Sequence, residues 1–187
     1  MIKLHSLIAM LSLTAVLIGC AGNDETALPT SASTMEVPEG WVLYQVSALS
    51  YSLVAPVGWE LDTSGKMNTA MILFTPADST DDYFKENVNL MVDDVSGKNL
   101  GIDAYMDQSV GLIKDFITDL EDFEARKENG DYWLTYKGRQ GTLKASYYQR
   151  LMMKNQKAYI LTYTSIDGKS SESHAIAQDI IQRFELR

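Results

Sequence analysis

An α/β domain of the α+β kind, one antiparallel β-sheet flanked by two main helices, is the fold class this 187-residue sequence predicts. Two observations carry the expectation. Short apolar or alternating runs, broken by Gly, Pro and Asn-Gly, recur through most of the chain and have the period of strands. Twice the apolar period lengthens to three or four residues, after Gly101 and again after Gly168, as a helix laid on a core requires. Hydrophobic residues make up 45% of the chain and charged residues 22%, the balance of a globular protein. A single cysteine means that apolar packing, not disulfides, must hold it together.

Three segments follow from the pattern: 1–19, 20–35 and a single domain over 36–187. Lys3 precedes an apolar run from Leu7 to Ile18, interrupted only by Ser12 and Thr14. As a helix it spans about 18 Å, short of the ~30 Å of a hydrocarbon core, so it has the build of a signal peptide. The run ends in Leu17-Ile18-Gly19-Cys20, which resembles the bacterial lipobox. That resemblance implies cleavage before Cys20, a lipidated (palmitate-type) N-terminus and anchorage to the bilayer of a cell envelope. Ala21, where inner-membrane retention wants Asp, implies the outer membrane facing the periplasm. Residues 20–35 are rich in Ala, Ser, Thr and Gly and read as a tether with a reach of ~20 Å.

In the domain, Trp41–Val46 and Tyr51–Ala55 have strand composition, the second broken by Pro56 and Gly58. Ala70–Thr75 is continuously apolar, as a strand buried on both faces would be. Asn87–Val95 alternates, with Val88, Leu90 and Val92 on one face. Ile102, Met106, Val110, Ile113, Ile117 and Leu120 then recur at helical spacing for about five turns, capped by Asn99 or Gly101. On this reading Asp115, Asp119 and Asp122 trace the helix's exposed face. Asn129-Gly130 predicts a type I′ hairpin, and Tyr132–Lys137, Thr142–Lys154 and Ala158–Ser165 continue as a meander with a turn at Gly138–Gly141. Ile176, Ile180, Ile181 and Phe184 form the stripe of a last helix, capped by Ser170 or Ser171.

Tyr51-Ser-Leu-Val-Ala-Pro-Val-Gly-Trp59, the Phe74-Thr-Pro76 strand end and Asn87-Val-Asn-Leu90 resemble the PsbP-like family. The long helix, the Asn-Gly hairpin, Tyr159-Ile-Leu-Thr-Tyr163 and Ile180-Ile-Gln-Arg-Phe184 continue the likeness, from about residue 41 to 187. The resemblance implies an α/β/α sandwich and, by the bacterial relatives, a lipoprotein. These motifs are structural and bring no metal ligands with them.

Chemistry-bearing residues are sparse. His174 stands beside Ser170, Ser171 and Ser173 without a nucleophile elbow, so the serines read as caps. Asp93-Asp94 and Asp81-Asp82 are sequence neighbours and point to opposite faces of a strand, which does not pair carboxylates for acid–base work. Asp78, Asp81 and Asp82 share a polar loop without EF-hand spacing, a surface loop first and a cation site second. No metal, cofactor or enzymatic activity is expected, and a net charge of −9 argues against nucleic acid as a partner.

Charge is unevenly placed. Residues 20–125 hold four Lys and Arg against nineteen Asp and Glu; residues 126–187 hold eleven against six. In the long strand Lys144, Ser146, Tyr148, Arg150, Met152 and Lys154 share one face. Two readings follow. Either this face is balanced internally by the acidic helix or by water, or Lys144, Tyr148, Arg150, Lys154 and Tyr159 form a docking face for an anionic envelope partner. The function expected is a lipid-anchored, non-enzymatic binding or assembly module. A small-ligand carrier with a helix–sheet cleft is the alternative, and a hydrolase the third.

Overall fold

The structure is a computed structural model that describes residues 35–77, 84–166 and 171–187. Cys20 and the loop carboxylates Asp78, Asp81 and Asp82 lie outside the described residues, as does Ser170. In chain order the elements are β1 (Trp41–Val46), β2 (Tyr51–Pro56), β3 (Glu60–Asp62), β4 (Met71–Phe74), β5 (Asn87–Asp94) and α1 (Ile102–Phe116). They continue as β6 (Thr118–Glu128), β7 (Asp131–Gln140), β8 (Leu143–Lys154), β9 (Lys157–Ile166), α2 (Ser171–Arg183) and β10 (Glu185–Leu186).

Seven strands form one antiparallel sheet in the order β3-β4-β5-β9-β8-β7-β6, so the fold is α+β. The sequence predicts a single sheet, but β1, β2 and β10 form a second one of three strands. β3 and β10 are three and two residues long, too short to leave any hydrophobic period.

Alternation along the long strands sorts their side chains into two cores. Tyr148, Met152, Tyr159, Leu161, Tyr163, Val88 and Leu90 meet α2 and the small sheet through Ile180, Ile181, Phe184, Tyr51 and Leu53. On the opposite face Leu134, Tyr136, Tyr147, Leu151 and Ile166 meet α1 through Met106, Val110 and Ile113. Met71, Ile72 and Leu73 are fully buried, as the continuous apolar run of β4 predicts.

The helix boundary is the main correction. α1 ends at Phe116, not Leu120, and Gly101 stands at its N-cap without a side-chain cap bond. Asp119 and Asp122 are not on a helix: they sit in β6 at φ 51°, where the pairing with β7 shifts twice. Each shift inserts an extra residue, so the inward side chains Ile117, Leu120 and Phe123 recur every third position. A bulged strand has imitated a helix in sequence. Gly138 is likewise inside β7 rather than in a turn, because a Cβ there would stand 2.3 Å from Ile117 Cγ2 and 2.9 Å from the Thr118 carbonyl. The hairpin at Asn129-Gly130 has φ 54° and 90°, the left-handed pair a type I′ turn needs.

Candidate functional site

The basic face of β8 points into the molecule. Tyr148 and Tyr159 are each 4% exposed and Met152 3%, packed beneath α2 and the small sheet. Arg150 sits between Asp131 and the end of α2. Its Nε and Nη2 donate to the Asp131 carboxylate at 2.9 and 2.7 Å. Its Nη1 donates to the carbonyls of Ile181, Gln182 and Phe184 at 3.0, 3.2 and 3.1 Å. These are carbonyls that a helix end leaves without partners, at the negative pole of its dipole. Lys154 does the same for β10, donating to the Leu186 carbonyl at 3.1 Å. Lys144 is half-buried and faces Arg139 across the β7–β8 ladder.

The expected docking surface of Lys144, Tyr148, Arg150, Lys154 and Tyr159 is therefore corrected: its tyrosines are interior and Arg150 and Lys154 clamp the C-terminal segment. The alternative expectation, balance against the long acidic helix, is also corrected in its partners. Lys137 pairs with Asp122 at 2.7 Å and Arg139 with Asp119 at 3.5 Å, both carboxylates belonging to β6. Lys127 reaches α1 through Asp103, which Tyr132 also contacts at 2.8 Å. These hydrogen bonds hold the Asp103 and Asp122 carboxyls below their ordinary range.

α2 lies over β2, β5, β8 and β9. Over β6, β7 and the near edge of β8 a groove of about 460 Å³ opens, lined by Glu124, Arg126, Trp133, Thr135 and Tyr148 among others. Trp133 is the half-exposed floor. The guanidinium of Arg150 stands 4.9 Å from its ring centre and that of Arg126 5.6 Å, and Tyr148 is tilted against it at 5.9 Å. A guanidinium stacked on indole keeps its in-plane N–H donors available to carboxylates. Arg150 has spent those donors; Arg126 spends one on exposed Glu128 at 3.3 Å, an exchangeable surface pair.

Sequence reasoning passed over Trp133. Its signal is present: along β7 the positions 133, 135, 137 and 139 share one face, and Trp133 is the sole large apolar residue among three polar ones. An aromatic alone on a polar strand face is a candidate contact residue.

His174 stacks edge-on against Tyr163 at 5.5 Å and Tyr148 at 6.3 Å, and burial lowers its pKa. Ser173 shares a 3.2 Å hydrogen bond with the Tyr163 hydroxyl. Asp93 accepts from Tyr105 at 3.2 Å and Asp94 from the Ser96 amide at 2.9 Å, on separate faces of β5. Among the described residues no group of three or more His, Cys, Asp or Glu converges as a metal cage.

No protein-family model matches this chain, and no curated protein matches its sequence. Solved structures do. The cyanobacterial PsbP protein (CyanoP) of Synechocystis sp. PCC 6803 superposes with a TM-score of 0.55 at 15% identity, over 85% of this chain and 99% of that one. LpqN of Mycobacterium tuberculosis, described as involved in cell envelope biogenesis, gives 0.53 at 10% identity over 78% and 90%. The Ran-binding protein Mog1p of Saccharomyces cerevisiae gives 0.52 at 10% identity over 78% and 95%. At these identities the likeness shows the fold, which is PsbP-like, and nothing of activity.

Proposed function

We propose that this protein is a lipid-anchored, non-enzymatic binding module of the bacterial cell envelope, and that its contact surface is the Trp133 groove rather than the basic face of β8. The single observation that carries the surface assignment is Trp133, half-exposed at the floor of an open groove with two guanidiniums close to its ring. Aromatic and arginine side chains in that arrangement dominate binding energies at protein interfaces. The partner that fits is an extended protein segment presenting an aromatic ring to Trp133 and a carboxylate to Arg126, displacing Glu128 from its weak pair. The lipobox resemblance at Cys20 supports the anchor, and the envelope role of one fold neighbour is consistent with the compartment.

A photo-crosslinking residue at Thr135, on the groove wall, tests the surface in intact envelopes, with Asp107 on exposed α1 as the control. The expected result is a discrete adduct from Thr135 that Trp133→Ala removes and that Asp107 does not give. Equal adducts from both positions, or an adduct indifferent to Trp133→Ala, overturn the assignment. For the anchor, Cys20→Ala should leave an unprocessed or soluble protein; fractionation with membranes in the wild-type form contradicts it.

A further inference from the structure

Among the described residues the two sheets end in β3, β6, β10 and β1. An edge strand invites pairing by another chain unless it is short, charged or bulged. β3 has three residues, among them the carboxylates Glu60 and Asp62. β10 has two residues, and β6 is heavily charged and shifts register twice. β1 has none of these devices. Its six residues, Trp41-Val-Leu-Tyr-Gln-Val46, carry no charge and no proline, and they pair with β2 without a shift.

Which groups face outward follows from the hydrogen bonds at the start of β1. The Gly40 carbonyl accepts from the Val57 amide at 2.8 Å, so Gly40 turns toward β2. By alternation Val42, Tyr44 and Val46 do the same, and the main-chain groups of Trp41, Leu43 and Gln45 turn away. The Trp41 amide agrees, donating to the Pro38 carbonyl at 3.1 Å. Among the described residues no main-chain hydrogen bond reaches Leu43 or Gln45 from the open side. What completes such a row is another extended backbone.

Two observations select a second copy of this chain. Chains of net charge −9 repel one another over most of their surfaces, and β1 is an uncharged strip where two can meet. The tether of residues 20–35, with a reach of ~20 Å, ends a few residues before Trp41. Two anchored copies therefore carry their β1 edges at similar height above one bilayer, an argument that rests on the lipobox reading of Cys20.

We propose that two copies pair antiparallel through β1, Leu43 opposite Leu43, joining the two small sheets into one. Leu43 then exchanges both main-chain hydrogen bonds with its counterpart, and each Gln45 amide donates to the facing Trp41 carbonyl. Sliding the register by two residues leaves one of the three without a facing partner in the strand. The Trp41 amide, already held by Pro38, marks where the pairing stops. An edge this short buries less than the ~1,000 Å² of a stable dimer, so pairing is weak in solution and stronger where a bilayer concentrates it.

Thiol crosslinking of the full chain in intact envelopes tests the register. Leu43→Cys, treated with a crosslinker of about 5 Å span, the separation of facing residues, should give a homodimer. Val57→Cys, 69% exposed on the turn after β2, should not. Gln45→Pro deletes an outward amide at an edge position that tolerates proline. Added to Leu43→Cys, it should weaken dimerisation at least about tenfold. The purified Cys20→Ala chain tests the edge without the anchor. Its Leu43 and Gln45 amides should gain hydrogen-exchange protection as protein concentration rises. Leu43→Lys sets like charges opposite each other and serves if Gln45→Pro fails to fold; by sedimentation it should stay monomeric where the parent associates.

A homodimer from the Cys20→Ala chain but none in envelopes supports the pairing and faults the anchor reading. No Leu43→Cys homodimer in either setting, or an adduct of another mass in its place, overturns the proposal. So does amide protection independent of concentration, or association undiminished by both Gln45→Pro and Leu43→Lys.

Discussion

β8 carries few charges and β6 many, and the two strands use them in opposite directions. β8 is an inner strand paired without a shift from Leu143 to Lys154, and its cations reach inward to the ends of α2 and β10. β6 is an edge strand, shifted twice against β7, and its carboxylates lie on the surface, answering Lys137 and Arg139. Bulges and charges on an edge discourage a further strand from pairing there. The difference teaches that alternation assigns a residue to a side of the sheet, while the cover over that side decides whether its charge is a clamp or a surface.

The sharpest way to break the contrast is to remove the clamp. Arg150→Met keeps the stem over Trp133 but leaves Asp131 and three carbonyls unanswered. With side chains only 16% and 21% exposed, the Arg150–Asp131 pair is substantially desolvated, and breaking it should cost about 3–4 kcal/mol by denaturant unfolding. A change below about 1 kcal/mol would place Arg150 with the surface charges instead.

Next in size is Gly138→Ala, aimed at the close approach that the β6 bulges create. The new methyl meets Ile117 Cγ2 and a backbone carbonyl that cannot swing away, so a loss of about 2–3 kcal/mol is expected. A neutral outcome would mean the strands do not approach at the bulge.

His174, packed on Tyr148 and Tyr163, sharpens the picture of the covered face through pH. Its folded-state pKa is depressed by burial, so the unfolded chain binds the proton more readily. Stability should therefore be full above about pH 6.5 and decline as pH falls below it. Melting curves between pH 7.5 and pH 5 should be flatter for His174→Gln than for wild type. The smallest effect belongs to the edge: Lys137→Gln removes an exposed pair and should move stability by no more than about 0.5 kcal/mol.

Legibility in the sequence divides along the same line. The two faces of β8, the Ile176–Phe184 stripe of α2 and the Asn129-Gly130 hairpin are all local patterns, and the structure has them as read. β6 was illegible because its bulges give Ile117, Leu120 and Phe123 a period of three, which continues the helical spacing of α1 without a break. The Trp133 groove depends on where α2 stops and what it covers. That is a long-range fact, and the lone Trp on a polar face was its one hint in the sequence.

Hydrogen exchange on Arg150→Met tests most directly whether the basic face of β8 is an internal clamp. The account predicts that amides in the last turn of α2 and in β10, residues 180–187, exchange markedly faster than in wild type, while the β8–β9 ladder keeps its protection. Unchanged protection at the end of α2, in a variant that still folds, would contradict it.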